Sequence, residues 1–115
     1  MKKQEKPLIS IIIPVYNEEE RIGGCLESIY SQQFNKKLIE VLIIDDDSTD
    51  KTVEIAKKYP VKVLRNGKRN YEIGKAVGIN NASGDFLVFI DADHRLIDKK
   101  WLEKGVKNLE KNKNI

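Results

Sequence analysis

The sequence predicts an α/β fold: a mostly parallel sheet with helices on both faces, in three layers. Three observations predict it. Four short apolar runs, 8–13, 40–44, 61–65 and 86–90, alternate with four segments of helical periodicity. The runs are near-continuous in Ile, Val, Leu and Phe, as in strands covered on both faces, and do not alternate apolar with polar. The chain has 115 residues, the size of one small domain, so the order β-α-β-α-β-α-β-α closes in a single sheet with right-handed crossovers.

Each element follows from its residues. Residues 8–13 form a buried strand that Pro14 ends. Asn17 is the expected cap of the first helix, with Glu18, Glu19 and Glu20 in a first turn where the macrodipole favours anions. Ile22, Leu26, Ile29, Tyr30 and Gln33 recur at helical spacing and carry that helix to about Gln33, with Cys25 beside the stripe as core filler. Residues 40–44 form the second strand. Beyond the acidic block 45–50, Val53, Ile55, Ala56 and Tyr59 make a short helix that Pro60 stops.

Residues 61–65 form a third strand, shorter and more polar and therefore nearer an edge; 66–70 is a loop. Residues 71–81 read as a helix although Gly74 and Gly78 each cost about 1 kcal/mol relative to Ala. Gly84 suits its end. Residues 86–90 form an uninterrupted apolar strand, expected to be fully buried, and 98–112 the last helix, with Trp101 and Leu102 as its packing anchor.

Composition excludes several classes. Lys and Arg number 21 against 18 Asp and Glu, a net charge of +3, and the cations do not gather around the unusual residues. Six Lys lie along 98–115 in a solvated helix, whereas four carboxylates lie within 45–50, the reverse of a nucleic-acid site. The single Cys25 rules out a disulfide framework or a cysteine zinc site and is compatible with a reducing cytoplasm. No run approaches the roughly 18 apolar residues of a membrane span, and 1–20 lacks a cleavage site.

In open parallel sheets ligands bind beyond the carboxyl ends of the strands. The first strand exits into Pro14-Val15-Tyr16-Asn17-Glu18, the second into Asp45-Asp46-Asp47-Ser48, and the fourth into Asp91-Ala92-Asp93-His94. That many carboxylates on one rim repel each other unless a cation joins them. Oxygen ligands suit a hard divalent ion, Mn²⁺ or Mg²⁺, shared with substrate phosphates. Asp47, Ser48 and Asp50 read more simply as turn and cap residues, whereas Asp91 and Asp93 read as functional. His94 has either a plain loop role or an approach to the metal or a phosphate. Neither common glycine-rich phosphate cradle is present.

Four blocks in order carry a resemblance: Ser10-Ile-Ile-Ile-Pro-Val-Tyr-Asn-Glu18, Val41-Leu-Ile-Ile-Asp-Asp-Asp-Ser-Thr-Asp50, Gly78-Ile-Asn-Asn-Ala-Ser-Gly-Asp85 and Phe89-Ile-Asp-Ala-Asp93. Together they resemble the N-terminal, nucleotide-sugar-binding half of family-2 glycosyltransferases, which have the Rossmann-like GT-A fold. The resemblance implies one domain over 1–115 and an inverting transfer of a sugar from a nucleotide-diphosphate donor. By the same resemblance Pro14, Tyr16 and Glu18 hold base and ribose, and Asp46 accepts a hydrogen bond from a base N–H. Asp93 binds Mn²⁺ or Mg²⁺ bridging the diphosphate, and Asp91 touches ribose or metal. Gly74-Lys75-Ala76-Val77-Gly78 stands where members often carry Ala-Arg-Asn-x-Gly, and Lys75 can serve a phosphate as a point charge.

The donor, UDP- or GDP-linked, stays open, as does the acceptor: glycan, lipid-linked or small molecule. Members continue well past the matched half, which implies a general base and acceptor part beyond Ile115, or a second copy of the chain packed on an exposed flank. A cytoplasmic location follows, with the membrane's cytoplasmic face open to the full-length protein. The alternative is a non-catalytic nucleotide-sugar-binding module. A phospho-receiver-like signalling domain is more distant, because here the acidic block follows the second strand.

Overall fold

The computed structural model describes residues 6–112. Four strands, β1 (Ile9–Val15), β2 (Ile39–Asp45), β3 (Lys62–Arg65) and β4 (Phe86–Phe89), form one sheet in the order β3-β2-β1-β4. Every pairing is parallel: Ile9 lies opposite Ile39 on one side and Phe86 on the other, and Leu42 opposite Lys62. Four helices connect and flank the strands: α1 (Ile22–Tyr30), α2 (Thr52–Ala56), α3 (Tyr71–Asn81) and α4 (Trp101–Asn112). A 3-10 turn at Lys36–Leu38 leads into β2. Among the described residues no helix is long and apolar enough to cross a membrane.

The two faces are unequally covered. On one, Ile9, Ile11, Ile13, Val41 and Ile43 pack with Ile22, Leu26 and Ile29 of α1, Ala56 of α2, and Leu102 and Val106 of α4. On the other, Ile12, Leu42 and Ile44 meet Leu64, Val77 and Ala82, so among the described residues that face is covered by α3 and its C-terminal end. The α/β sandwich is therefore three-layered, with all strand carboxyl ends on one side, where the candidate site lies.

Glycine sets how closely α3 approaches. A Cβ on Gly78 would lie 2.4 Å from the Ile12 side chain, so the helix rests directly on β1. The chain then returns to the sheet through a clasp: the buried Ser10 hydroxyl donates to Glu40 at 2.6 Å and accepts the Gly84 amide at 2.8 Å. Glu40 also accepts the Ser83 amide at 2.9 Å. At the far end of α1, Gln32 is buried; its amide donates to the Asp98 carbonyl and its oxygen accepts the Leu102 amide, fastening α4 to α1.

Four expectations change. The first helix begins at Ile22, not at an Asn17 cap, and ends at Tyr30. Asn17 has φ of 52°, and its side chain accepts the Thr49 amide, so it is spent on joining loops before the helix starts. Pro14 lies inside β1 rather than ending it. β4 is an edge strand, not a fully buried one: Leu87 and Phe89 are 39% and 43% exposed, because α3 does not reach over them. Trp101 is 44% exposed, and Leu102, held by Gln32, anchors α4 instead. The polar β3 does lie at an edge, as expected. Lys113, the last of the predicted helix lysines, lies outside the described residues.

Candidate functional site

The loops leaving β1 and β2 are sewn together by short side chains. The Asn17 amide donates to Ser48 Oγ at 2.9 Å, the Glu18 amide to Thr52 Oγ1 at 2.7 Å, and the Glu19 amide to Asp50 at 3.2 Å. Asp50 also accepts the Thr52 amide at 3.0 Å, starting α2. Asp47, at φ 60°, pairs bidentately with Arg65 at 2.6 and 3.0 Å, and that guanidinium holds its carboxyl below the usual range. These residues are the turn and cap elements the sequence suggests.

Two cavities open on this rim. The first, of about 170 Å³, has an apolar floor of Pro14, Ile44 and Gly74. Its walls are Tyr16, Asp46, Asn66, Arg69, Asn70 and Tyr71. The second, a groove of about 570 Å³, is lined by Pro14, Tyr16, Glu18, Arg21, Tyr71, Asp91, Ala92 and Asp93. Pro14, Tyr16 and Tyr71 belong to both, so the two spaces adjoin across the tyrosines. Of the predicted site residues, the structure brings Pro14, Tyr16, Glu18, Asp46, Asp91 and Asp93 together here.

Lys75 is not among the residues lining either space. Its Nζ pairs with Glu72 at 3.2 Å and stands 5.0 Å from the Tyr71 ring and 5.8 Å from that of Phe89. The helical i,i+3 spacing favours that partner, and the exposed Phe89 ring gives the ammonium a second face.

Residues that sequence reasoning missed complete the walls. The Tyr71 hydroxyl donates to Asp91 Oδ1 at 2.6 Å; that bond, with burial and the carboxylate charge, pushes its pKa up to about 12. The Arg69 amide donates to Asp46 Oδ1 at 2.7 Å, while its guanidinium lies 3.9 Å from the Tyr16 ring centroid. Arg21 is held by Glu18 at 2.8 Å and lies close enough to Asp93 to feel its charge. Asn66 to Asn70 follow the carboxyl end of β3. The rule used for the other three strands, applied to this one, points to them.

Asp91, Asp93 and His94 can place one ligand atom each within 4.8 Å of one another. The His94 amide donates to the Asp91 carbonyl at 2.9 Å, a turn that folds the imidazole back towards the carboxylates. Two carboxylate oxygens with one imidazole nitrogen are a donor set that a divalent cation accepts.

The fold and this rim define a class: a Rossmann-like parallel α/β domain with an Asp-Ala-Asp loop and a ring-sized cavity side by side. Comparison with known proteins gives the family. Residues 10–115 match the sequence model of Glycosyl transferase family 2, and the chain belongs to that family. It is 36% identical over 109 residues to glycosyltransferase AglE of Haloferax volcanii, covering 90% of this chain and 36% of that protein.

Among solved structures it is similar to S. aureus TarS 1-349, with a TM-score of 0.84 at 32% identity, covering 90% of this chain and 32% of the other. TarS has also been solved with UDP and with UDP-GlcNAc. The mannosyltransferase PcManGT of Pyrobaculum calidifontis, solved with GDP-Man and Mn²⁺, matches with a TM-score of 0.83 at 27% identity, covering 91% and 33%. The sheet and layers are thus those of GT-A glycosyltransferases, and the chain spans about a third of the length of these relatives.

Proposed function

We propose that this chain is the donor-binding part of an inverting glycosyltransferase, holding a nucleotide-diphosphate sugar across the carboxyl ends of β1, β2 and β4. The observation that carries the reading is the adjacency of the two cavities. A ligand with a flat ring at one end and a charged diphosphate at the other spans an apolar-floored cavity and an acidic groove that share Tyr16 and Tyr71. The relatives bound to UDP, UDP-GlcNAc and GDP-Man support a nucleotide sugar as that ligand.

In this reading Pro14 and Tyr16 pack against the base, and Asp46, which as a carboxylate only accepts, takes a base N–H. Glu18 accepts from ribose hydroxyls. Asp91 and Asp93, with His94 beside them, would hold Mn²⁺ or Mg²⁺. When bound, the ion supplies electrostatic stabilisation of charge developing on the departing diphosphate. Tyr71 fixes the orientation of Asp91 through its hydroxyl. The acceptor hydroxyl attacks the anomeric carbon from the face opposite the diphosphate, losing its proton to a general base. Lys75, paired with Glu72 beside the Tyr71 ring, stands next to this site as a point charge open to a phosphate.

Calorimetry with a nucleoside diphosphate tests the reading. Binding is expected to need Mn²⁺ or Mg²⁺ and to weaken in Asp93→Ala by more than the roughly 10-fold that losing even an outer partner of a metal costs. Metal-independent binding, unchanged in Asp93→Ala, would remove the assigned role.

A further inference from the structure

Beside β4 the described residues leave a continuous apolar patch exposed. One groove, of about 460 Å³, starts at Asp93 and His94 and is walled by Phe89, Ile97 and Trp101. A second cavity, of about 290 Å³, is lined by Phe86, Val88, Trp101, Gly105 and Leu109 among others, so the two adjoin at Trp101. Ile97, in the loop before α4, is 88% exposed, and Trp101 and Leu109 are 44% and 48% exposed. Exposed apolar side chains scattered singly need no explanation, but a gathered patch marks an interaction surface.

The same segment carries the charge. All of the chain's net charge of +3 falls within residues 95–112, where six cations stand against Asp98, Glu103 and Glu110. Lys104 pairs with Asp98 and Lys107 with Glu103. Arg95, Lys99 and Lys100 are exposed, make no ion pair among the described residues, and flank Ile97 on both sides along the loop. On α4, Lys104, Lys107 and Lys111 form a stripe next to the one carrying Trp101 and Leu109; Asn108 lies on the border and lines the cavities on both sides.

We propose that residues 95–101 and the adjoining face of α4 dock this chain on an anionic lipid surface, with Ile97 and Trp101 entering the boundary between headgroups and acyl chains. An apolar tip alone fits any apolar partner. A tip flanked by unpaired cations fits a surface that is apolar within and negatively charged outside. Lys and Arg suit its rim because their stems lie along apolar surface while their charged heads stay with the headgroups. An indole suits the same depth, being apolar with one N–H to leave at the polar level. A second copy would bring this net-positive segment against itself, and like charge opposes that packing. The chain lies on the surface and does not cross it, since no described helix is long and apolar enough. The groove that begins at Asp93 and His94 ends at Ile97 and Trp101, so docking sets the rim beside the lipid. The inference needs no assumption about what the rim binds.

Trp101 is the chain's one tryptophan, so its emission reports this patch without a label. The probes are vesicles of phosphatidylcholine alone and of an equimolar mixture of phosphatidylcholine and phosphatidylglycerol. Co-sedimentation and a blue-shifted emission are expected with the mixed vesicles, weakening as salt is raised. Binding to phosphatidylcholine alone is expected to be at least about 10-fold weaker. Lys99→Gln combined with Lys100→Gln is expected to weaken binding to the mixed vesicles about 30-fold. Ile97→Gln, at an exposed position where no fold contact is lost, is expected to weaken it about 10-fold. No binding to the mixed vesicles overturns the proposal, as does equal binding to both compositions. Binding that leaves the Trp101 emission unmoved, or is undiminished in Ile97→Gln, places the contact elsewhere and overturns it too. A blue shift that appears with rising protein concentration, without lipid and unchanged by vesicles, assigns the patch to a second copy and has the same result.

Discussion

Single carboxylates have two jobs on this rim. Asp46 faces the cavity and at the same time holds the 66–70 loop through the Arg69 amide, and Asp91 faces the groove while taking the Tyr71 hydroxyl. Glu40, away from the rim, clasps Ser10 and Ser83. Burial raises its carboxyl pKa, but hydrogen bonds from Ser10 and Ser83 and the charge of Lys62 more than offset this and hold it below the usual range. A depressed carboxyl stabilises the fold above its unfolded pKa of about 4.3 and loses that contribution as pH falls through the folded value. Glu40→Gln is expected to lower stability by about 1 kcal/mol at neutral pH. The gap between variant and parent should close below about pH 4, as read by urea denaturation across pH. A gap that persists in acid would remove the charge from the explanation.

Element by element, the glycines of α3 illustrate why propensity is a weak guide. Gly78 lowers helical propensity by about 1 kcal/mol, so Gly78→Ala ought to stabilise an isolated helix. Here the added methyl would meet fully buried Ile12, and overpacking of about 1–3 kcal/mol decides the sign. Denaturant unfolding is expected to show Gly78→Ala less stable by about 1 kcal/mol or more. Equal or greater stability would mean that α3 can lift off β1.

The central strands β1 and β2 were legible because burial on both faces writes continuous apolar runs. β4 wrote such a run although one of its faces is open, and the acidic blocks were legible because they end those runs. What the sequence hid depends on contacts between loops. Asn17 caps nothing because Ser48 and Thr49, 31 and 32 residues on, claim its amide and side chain. Tyr71, Arg69 and Asn66 carry no local mark of a site; the sheet order brings them beside Asp46 and Asp91. Lys75, read from the sequence as a phosphate contact, pairs with Glu72 one helical turn earlier and lines neither cavity.

Across the whole molecule protection should follow the sheet order. β1 and β2 are central and almost wholly buried, whereas β3 and β4 each have a free edge. Native-state hydrogen exchange is expected to be slowest at the amides of residues 11–13 and 41–44 and faster at 62–65 and 86–89. Slowest exchange at β4 would mean that its edge is covered in solution.

The all-parallel pairing also has a consequence for how the chain is made. Ile9 meets both Ile39 and Phe86, so β1, which is synthesised before the other three strands of this sheet, waits longest for its neighbours. Loop closure has to precede every strand contact, which makes such a topology slow to form. Until residues 86–89 emerge, the apolar face of 9–15 has a partner on one side only, and a nascent chain halted before then would present it to chaperones. The loop carrying Asp91 and Asp93 is placed by that last pairing, so the rim is completed only when vectorial synthesis has delivered the fourth strand.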